Sequence, residues 1–258
     1  MRSIQDKVCV VTGAARSIGL GVARRYADLG AKVVMIDINP EVMDRAGEMQ
    51  DAGKMVKGYI LNITDRDAVF GCFAEFQAMW GDAYALVNNA GVVSQNPIEE
   101  VTAQEWEKMM SVNVYGAFYC IQAVVAGMKA QKEGKIINFS SKSGKTGSAL
   151  MVPYSAAKGA VIAMTQAIAF ELAPYNINVN ALCPGITDYT GVWGEVSKGY
   201  IENLKMEREK VVNKFTAKIP LGRLTSISDL VDYVEFLTRS GDYCTGQALN
   251  VSGGREMH

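Results

Sequence analysis

Residues 7–19 read KVCVVTGAARSIG, and this stretch decides the fold. Residues 7–12 form a short β-branched run that ends in Gly13, the pattern of a buried parallel strand. Behind it Ile18, Val22, Tyr26 and Leu29 recur at helical spacing, and Gly30 closes the helix. Between strand and helix, Gly13 permits a tight turn and close approach of a pyrophosphate, while Gly19 lets the helix pack on the strand. The helix N-terminus adds free amides and a positive dipole end. Ser17 stands where the dinucleotide fingerprint has its middle glycine; its hydroxyl suits a helix cap or a phosphate. A plain strand–helix turn uses glycines in the same way, so the loop alone does not decide between the two.

The same rhythm repeats outward. Strands are expected at 32–37 (KVVMID), 55–61, 83–87, 135–139 (KIINF), 178–182 and 247–251. Between them lie a polar helix at 41–51 behind Pro40, a helix opened by Asp65, and a long helix capped by Thr102 with Glu105 completing a capping box. Asn113 falls inside that long helix. A further helix within 151–174 is dense in Ala, Gly and Ser, a surface that lets another subunit approach closely. The last helix, 226–237, is capped by Ser226 or Ser228. Strands alternating with helices mean βαβ units, a parallel sheet and right-handed crossovers. The chain reads as one α/β domain over 1–258, in which only 186–216 breaks the rhythm, and that segment reads as a substrate lid.

Composition narrows the function classes. Hydrophobic residues make up 49% and charged residues 21% of the 258, an ordinary soluble balance that suits one α/β domain. A net charge of -1 creates no field toward nucleic acid or an anionic membrane. No signal peptide and no apolar run of spanning length are expected. Cys9, Cys72, Cys120, Cys183 and Cys244 are scattered and form no Cys-x-x-Cys pair, so they read as buried small hydrophobes in a reducing, cytoplasmic compartment. His258 is the single histidine, which excludes a Ser-His-Asp triad and a His-rich metal site; no metal is expected.

Two further features bear on chemistry. Tyr154 and Lys158, in PYSAAK, are four residues apart and share one helix face. An ammonium beside a phenol favours the phenolate, and a tyrosine tuned that way exchanges a proton with an alcohol. Asp37 ends the second strand, about twenty residues beyond the glycine loop, where an acid accepts both ribose hydroxyls of adenosine. A carboxylate there also repels a 2′-phosphate, which favours NAD over NADP. Arg16 argues the other way, because a basic residue in the loop can hold that phosphate.

In order along the chain stand TGAARSIG, NNAG at 88–91, Ser141 and Tyr154-x-x-x-Lys158. Together they resemble the short-chain dehydrogenase/reductase family over essentially the whole chain. The resemblance implies a Rossmann-type, doubly wound domain with a seven-stranded parallel sheet and helices on both faces, assembled as a homotetramer. It implies a catalytic tetrad of Asn113, Ser141, Tyr154 and Lys158. Tyr154 would be the general acid/base and Ser141 would orient the substrate oxygen. Lys158 would lower the Tyr154 pKa and bond the nicotinamide ribose, and Asn113 would help hold a connecting water. Ser140 and Ser143 would be structural. The cofactor would be held by Gly13, Arg16, Ser17, Ile18 and Gly19, by Asp37 and Ile38, and by Asn62 and Ile63 at the adenine. Asn89, Ala90 and Gly91 would pass the riboses, and Pro184, Gly185 and Thr187 (or Thr190) would meet the nicotinamide. Tyr189 stands where the family often has a threonine.

The substrate loops carry less information. The lid residues Tyr189, Trp193, Glu195, Lys198 and Tyr200 are polar-aromatic, which suits a small hydroxylated substrate. Lys142 and Lys145 flank Ser141, either for a phosphate or carboxylate on the substrate or as solvated loop lysines. SKSGKTGS at 141–148 is similar to sugar-alcohol members of the family, of the sorbitol-6-phosphate 2-dehydrogenase type. The expectation is an NAD-dependent oxidoreductase acting on a secondary alcohol of a polyol or sugar derivative. An NADPH-dependent 3-oxoacyl thioester reductase is the alternative, disfavoured by Asp37. A non-catalytic NAD-binding regulator is a third reading, opposed by the filled tetrad.

Overall fold

The computed structural model describes residues 1–188, 210, 213 and 216–257. Seven strands form one sheet: β1 (Val8–Thr12), β2 (Lys32–Asp37), β3 (Val56–Ile60), β4 (Ala83–Asn88), β5 (Gly134–Phe139), β6 (Ile177–Pro184) and β7 (Ala248–Val251). Their order is β3-β2-β1-β4-β5-β6-β7 and every neighbouring pair is parallel. The helices are α1 (Ser17–Asp28), α2 (Glu41–Asp51), α3 (Arg66–Trp80), α4 (Ala103–Met110), α5 (Ala117–Gln131), α6 (Lys142–Thr146), α7 (Val152–Leu172) and α8 (Ile227–Arg239).

Both faces of the sheet are covered, which is why its central strands are apolar throughout. One face packs Val22 and Tyr26 of α1, Val42 and Met49 of α2, and Leu230 and Val234 of α8 on Cys9, Val11, Val33 and Met35. The other packs Phe73 and Phe76 of α3, Ile121 and Val124 of α5, and Ala169 and Leu172 of α7 on Val10, Val34, Leu86 and Ile136. The chain winds outward from β1 in both directions, through β2 on one side and β4 on the other. The crevice beyond the carboxyl ends of β1 and β4 is therefore the switch point where such sheets bind ligands.

Four expectations need correction. The capping box at Thr102 is half made. Thr102 accepts from the Glu105 amide, but the Glu105 carboxylate accepts instead from Asn96 Nδ2 at 2.8 Å. A complete box stands at Ser226 and Asp229. The long helix is not uniform, since residues Ser111–Gly116 between α4 and α5 form a π turn. The stretches Ala103–Gln131 and Val152–Tyr175 do reach the length and apolarity of a membrane span. Both nevertheless lie against the sheet, with Cys120, Val124 and Met128 of one and Val161, Ala169 and Leu172 of the other buried. Finally, residues 142–146, read as loop, form the short helix α6. Of the expected lid, Tyr189, Thr190, Trp193, Glu195, Lys198 and Tyr200 lie outside the described residues.

Candidate active site

The loop after β1 is tied to the loop after β4. Asn89 Nδ2 donates to the carbonyls of Thr12 and Gly13, both at 3.1 Å. Thr12 Oγ1 accepts from the amides of Asn89 and Ala90, again at 3.1 Å. Gly13 sits at φ +67, and a Cβ there would lie 2.8 Å from the Ala90 Cα. At Gly19 a Cβ would collide with the Gly13 carbonyl, so the helix start packs directly under the turn. Ser17, in the place of the middle glycine, also adopts a left-handed conformation at φ 55. That conformation strains any residue with a side chain. Ser17 does not cap α1: the N-cap is Arg16, without a side-chain hydrogen bond, and the Ser17 hydroxyl is shielded yet has no partner. A strained serine with an unpaired hydroxyl at a helix N-terminus, beside two positions that admit only glycine, fits a pyrophosphate.

Asp37 is held by the same loop. Its Oδ2 accepts from the Ala15 amide and its Oδ1 from the Asn39 amide, each at 2.9 Å. Ile38 beside it is 66% exposed, apolar surface open to a planar ring. Asn62 Oδ1 accepts from the amide and hydroxyl of Thr64, which leaves its Nδ2 as the free group. Ile63 is buried against the π turn, where a Cβ on Gly116 would lie 2.5 Å from it. Arg16 is exposed.

The four tetrad positions meet at the ends of β4, β5 and α7. Tyr154 and Lys158 lie in the first two turns of α7, both buried. Lys158 Nζ donates to the Phe139 carbonyl at 2.8 Å and lies 5.8 Å from the Tyr154 ring centroid. Ser141 is the N-cap of α6, where its Oγ accepts from the Ser143 amide at 3.1 Å, and its side chain holds the Tyr154 pKa down. Asn113 sits in the π turn. Its Nδ2 donates to the carbonyls of Val92 and Met109, both at 3.0 Å, and its Oδ1 accepts from the Val92 amide at 3.3 Å. A Cβ on Gly91 would lie 2.7 Å from Asn113 Oδ1 and 3.4 Å from Lys158 Nζ, so this glycine lets the two groups approach.

Burial pushes the Tyr154 phenol up, and Ser141 pulls it back. Lys158 itself is lowered to about 8 by burial. Its ammonium is turned to a backbone carbonyl and lies over the Tyr154 ring, 5.8 Å from the centroid.

A cleft opens at this point, lined by Asn113, Ser141, Tyr154 and Lys158 together with Ile18, Asn89, Gly91, Pro184, Gly185 and Thr187. Asp37, Ile38, Asn62 and Ile63 lie beyond it, at the ends of β2 and β3. Ser140 Oγ donates to the Lys158 carbonyl at 2.7 Å, and Ser143 shares a 2.8 Å hydrogen bond with Ser148, so both do have structural contacts. Sequence reasoning missed two features. Asn88 Nδ2 donates to Asn138 Oδ1 and Asn138 Nδ2 to Thr165 Oγ1, each at 2.9 Å, joining β4, β5 and α7 through the core. An asparagine in the middle of the apolar run KIINF was the available signal. Arg255 also lines the cleft, and nothing in the local sequence marks it.

Known proteins place this geometry. The model of the family described as short chain dehydrogenase matches residues 7–200. A sorbitol dehydrogenase from Cereibacter sphaeroides is 35% identical over 256 residues, 98% of this chain and 99% of the relative. A galactitol 2-dehydrogenase from Agrobacterium fabrum is 35% identical over 260 residues, with 98% and 99% covered. Among solved structures, NAD+-bound xylitol dehydrogenase superposes with a TM-score of 0.92 at 30% identity, covering 98% of this chain and 100% of that one. A single-residue variant of actinorhodin polyketide ketoreductase with NADPH reaches 0.93 at 30% identity, covering 100% of both.

Proposed function

This chain belongs to the short-chain dehydrogenase family, an oxidoreductase of CH–OH groups, and on that premise we propose an NAD-dependent enzyme that interconverts a secondary alcohol and a ketone on a small polyol or sugar derivative. The observation that carries the reading is the meeting of Asn113, Ser141, Tyr154 and Lys158 in one cleft.

A bound nicotinamide would supply the hydride acceptor in oxidation and the hydride donor in reduction. The 13–19 loop and the Ser17 hydroxyl would hold its pyrophosphate, Asp37 the adenosine ribose, and Gly185 and Thr187 the nicotinamide end. In oxidation Tyr154 Oη takes the alcohol proton, and in reduction it returns one to the ketone oxygen. Ser141 Oγ hydrogen-bonds the same substrate oxygen and steadies the phenolate. Lys158 contributes a buried positive charge one turn along the helix, and Asn113 fixes the Gly91–Val92 backbone against it. Asp37 favours NAD, because an unpaired carboxylate facing a 2′-phosphate is repulsive. The polyol assignment is supported by the sugar-alcohol relatives.

We further propose that the chain acts as one catalytic domain with 186–216 as its lid, in the cytoplasm, where five free thiols are stable. Phe118 on α5 and Phe170 on α7 are exposed, at 38% and 85%, apolar surface that a homotetramer would cover.

A panel of sugar alcohols and their phosphates, assayed with NAD and with NADP, tests this reading. Turnover of a polyol with NAD is expected. Failure on every polyol, alongside efficient NADPH-dependent reduction of an acetoacetyl thioester, would replace it with the 3-oxoacyl reductase reading, the class to which the ketoreductase neighbour points.

A further inference from the structure

Ser140 stands between Phe139, whose carbonyl takes the Lys158 ammonium, and Ser141, which caps α6. It is buried, and its amide donates to the Leu182 carbonyl at 2.8 Å, which fixes it to β6. Its Oγ donates to the Lys158 carbonyl at 2.7 Å. That carbonyl belongs to the backbone of α7, where each oxygen serves the helix ladder and keeps a second lone pair. The helix is satisfied without the hydroxyl. What the hydroxyl adds is a tie between α7 and the end of β5 at one residue.

α6 closes on the same residue. A Cβ on Gly144 would lie 2.6 Å from the Lys158 carbonyl carbon and 2.7 Å from its oxygen, and a Cβ on Gly159 would lie 3.4 Å from the Gly144 carbonyl oxygen. The two helices therefore meet backbone to backbone. Lys158 is held at its ammonium by Phe139, at its carbonyl by Ser140 and along its backbone by Gly144, all within residues 139–144. Asn138 Nδ2 ties β5 to α7 as well, but at Thr165, about two turns beyond Lys158, and neither of that pair lines the cleft.

Tyr154 lies one turn before Lys158 on α7, and Ser141 follows Ser140 directly. A slip of α7 against residues 139–141 moves Tyr154 and Lys158 together relative to Ser141. Groups that transfer a proton tolerate little of that, since a shift of about 1 Å costs about a hundredfold in rate.

We propose that Ser140 is a positioning residue: through the Lys158 carbonyl it sets α7 so that Tyr154 and Lys158 face Ser141 in the geometry that proton transfer needs. This rests on the proton-transfer reading above. It is independent of which alcohol or ketone is used, because the Ser140 hydroxyl is spent on the helix.

The test compares full-length wild type with Ser140→Ala, Ser140→Thr and Asn138→Ala, using sorbitol with NAD and acetoacetyl-CoA with NADPH. Rates are referred to the measured dinucleotide-binding stoichiometry, so unfolded protein does not count. Ser140→Ala is expected to lower kcat by about ten- to a hundredfold with KM within about threefold of the wild type. Ser140→Thr keeps the hydroxyl and is expected to recover most of kcat. Asn138→Ala cuts the tie away from Lys158 and is expected to lose stability while kcat stays within about threefold. Amide hydrogen exchange, measured without substrate, is expected to quicken about tenfold over residues 152–160 in Ser140→Ala. An unchanged kcat in Ser140→Ala, an equal loss in Asn138→Ala, or no recovery in Ser140→Thr overturns the proposal. If the wild type turns over neither substrate pair, the proton-transfer reading fails; quickened exchange over 152–160 in Ser140→Ala then still upholds the placement of Lys158 by Ser140, and unchanged exchange overturns it.

Discussion

Lys158 Nζ donates to the Phe139 carbonyl at 2.8 Å, at the end of β5, and not to the Tyr154 hydroxyl one turn away on its own helix. This single hydrogen bond is the compensation for a buried ammonium whose pKa falls to about 8. Between about pH 8 and the ordinary lysine value of 10.5 the unfolded chain binds a proton that the folded chain does not. Stability from this group therefore rises with pH across that window, by about 3 kcal/mol, and the cost of the buried charge is fully present below it. Lys158→Met is expected to abolish turnover yet raise the melting temperature at pH 7, an advantage that fades above about pH 10. Thermal melts of both proteins across that range check the sign.

Ser141 pulls the Tyr154 pKa down while burial pushes it up. Ser141→Ala removes the first effect only. The pH at which alcohol oxidation reaches its plateau should move upward, and kcat should fall about a hundredfold. Tyr154→Phe should lose turnover altogether while NAD affinity, read by fluorescence titration, stays within about threefold of the wild type. Retained activity in Tyr154→Phe would refute the assigned acid/base.

Asp37 accepts from the amides of Ala15 and Asn39, so it links β2 to the loop after β1 in addition to its proposed ribose contact. Asp37→Ala should lower stability by about 1–2 kcal/mol, because two amides lose their acceptor. The preference for NAD over NADP should fall in the same variant. An unchanged ratio would assign cofactor choice to Arg16 or another residue.

Ser17 combines a left-handed backbone with a hydroxyl that has no partner. Ser17→Gly relieves the strain but gains unfolded-state freedom, a net stabilisation of about 0.5 kcal/mol. Its NAD affinity should nevertheless drop about tenfold, since one hydrogen bond to a charged group is lost. Melting temperature and NAD dissociation constant report the two effects separately. NAD affinity equal to the wild type would remove Ser17 from the pyrophosphate site.

Asn138 is fully buried between Asn88 and Thr165. Asn138→Ala leaves two buried polar groups unpaired and should cost about 2–4 kcal/mol in urea unfolding. A loss under about 1 kcal/mol would mean that the chain of side chains contributes little to joining β5 and α7.

The fold and most of the site positions were legible because they rest on local rules. A β-branched run, a glycine turn and a helical period arise from backbone sterics and from which face is buried, and these act over a few residues. The order β1, loop, Asp37, NNAG, Ser141, Tyr154 and Lys158 was therefore readable along the chain. The capping box at Thr102 failed for a non-local reason, since Asn96 competes for the Glu105 carboxylate. The expectation of no apolar run of spanning length failed at 103–131 and 152–175, and only their packing on the sheet accounts for that apolarity.

What the sequence determined by itself is the doubly wound sheet, the family and the residues that converge on its switch point, all of them set by short-range periodicity and turn chemistry. Only the tertiary structure decided where the charges act. Lys158 turns to a backbone carbonyl contributed by a strand nineteen positions away. Arg255 reaches the wall that Lys142 occupies because two left-handed glycines turn the tail back over β7. Electrostatics depends on distance and burial in space, and neither is a function of separation along the chain.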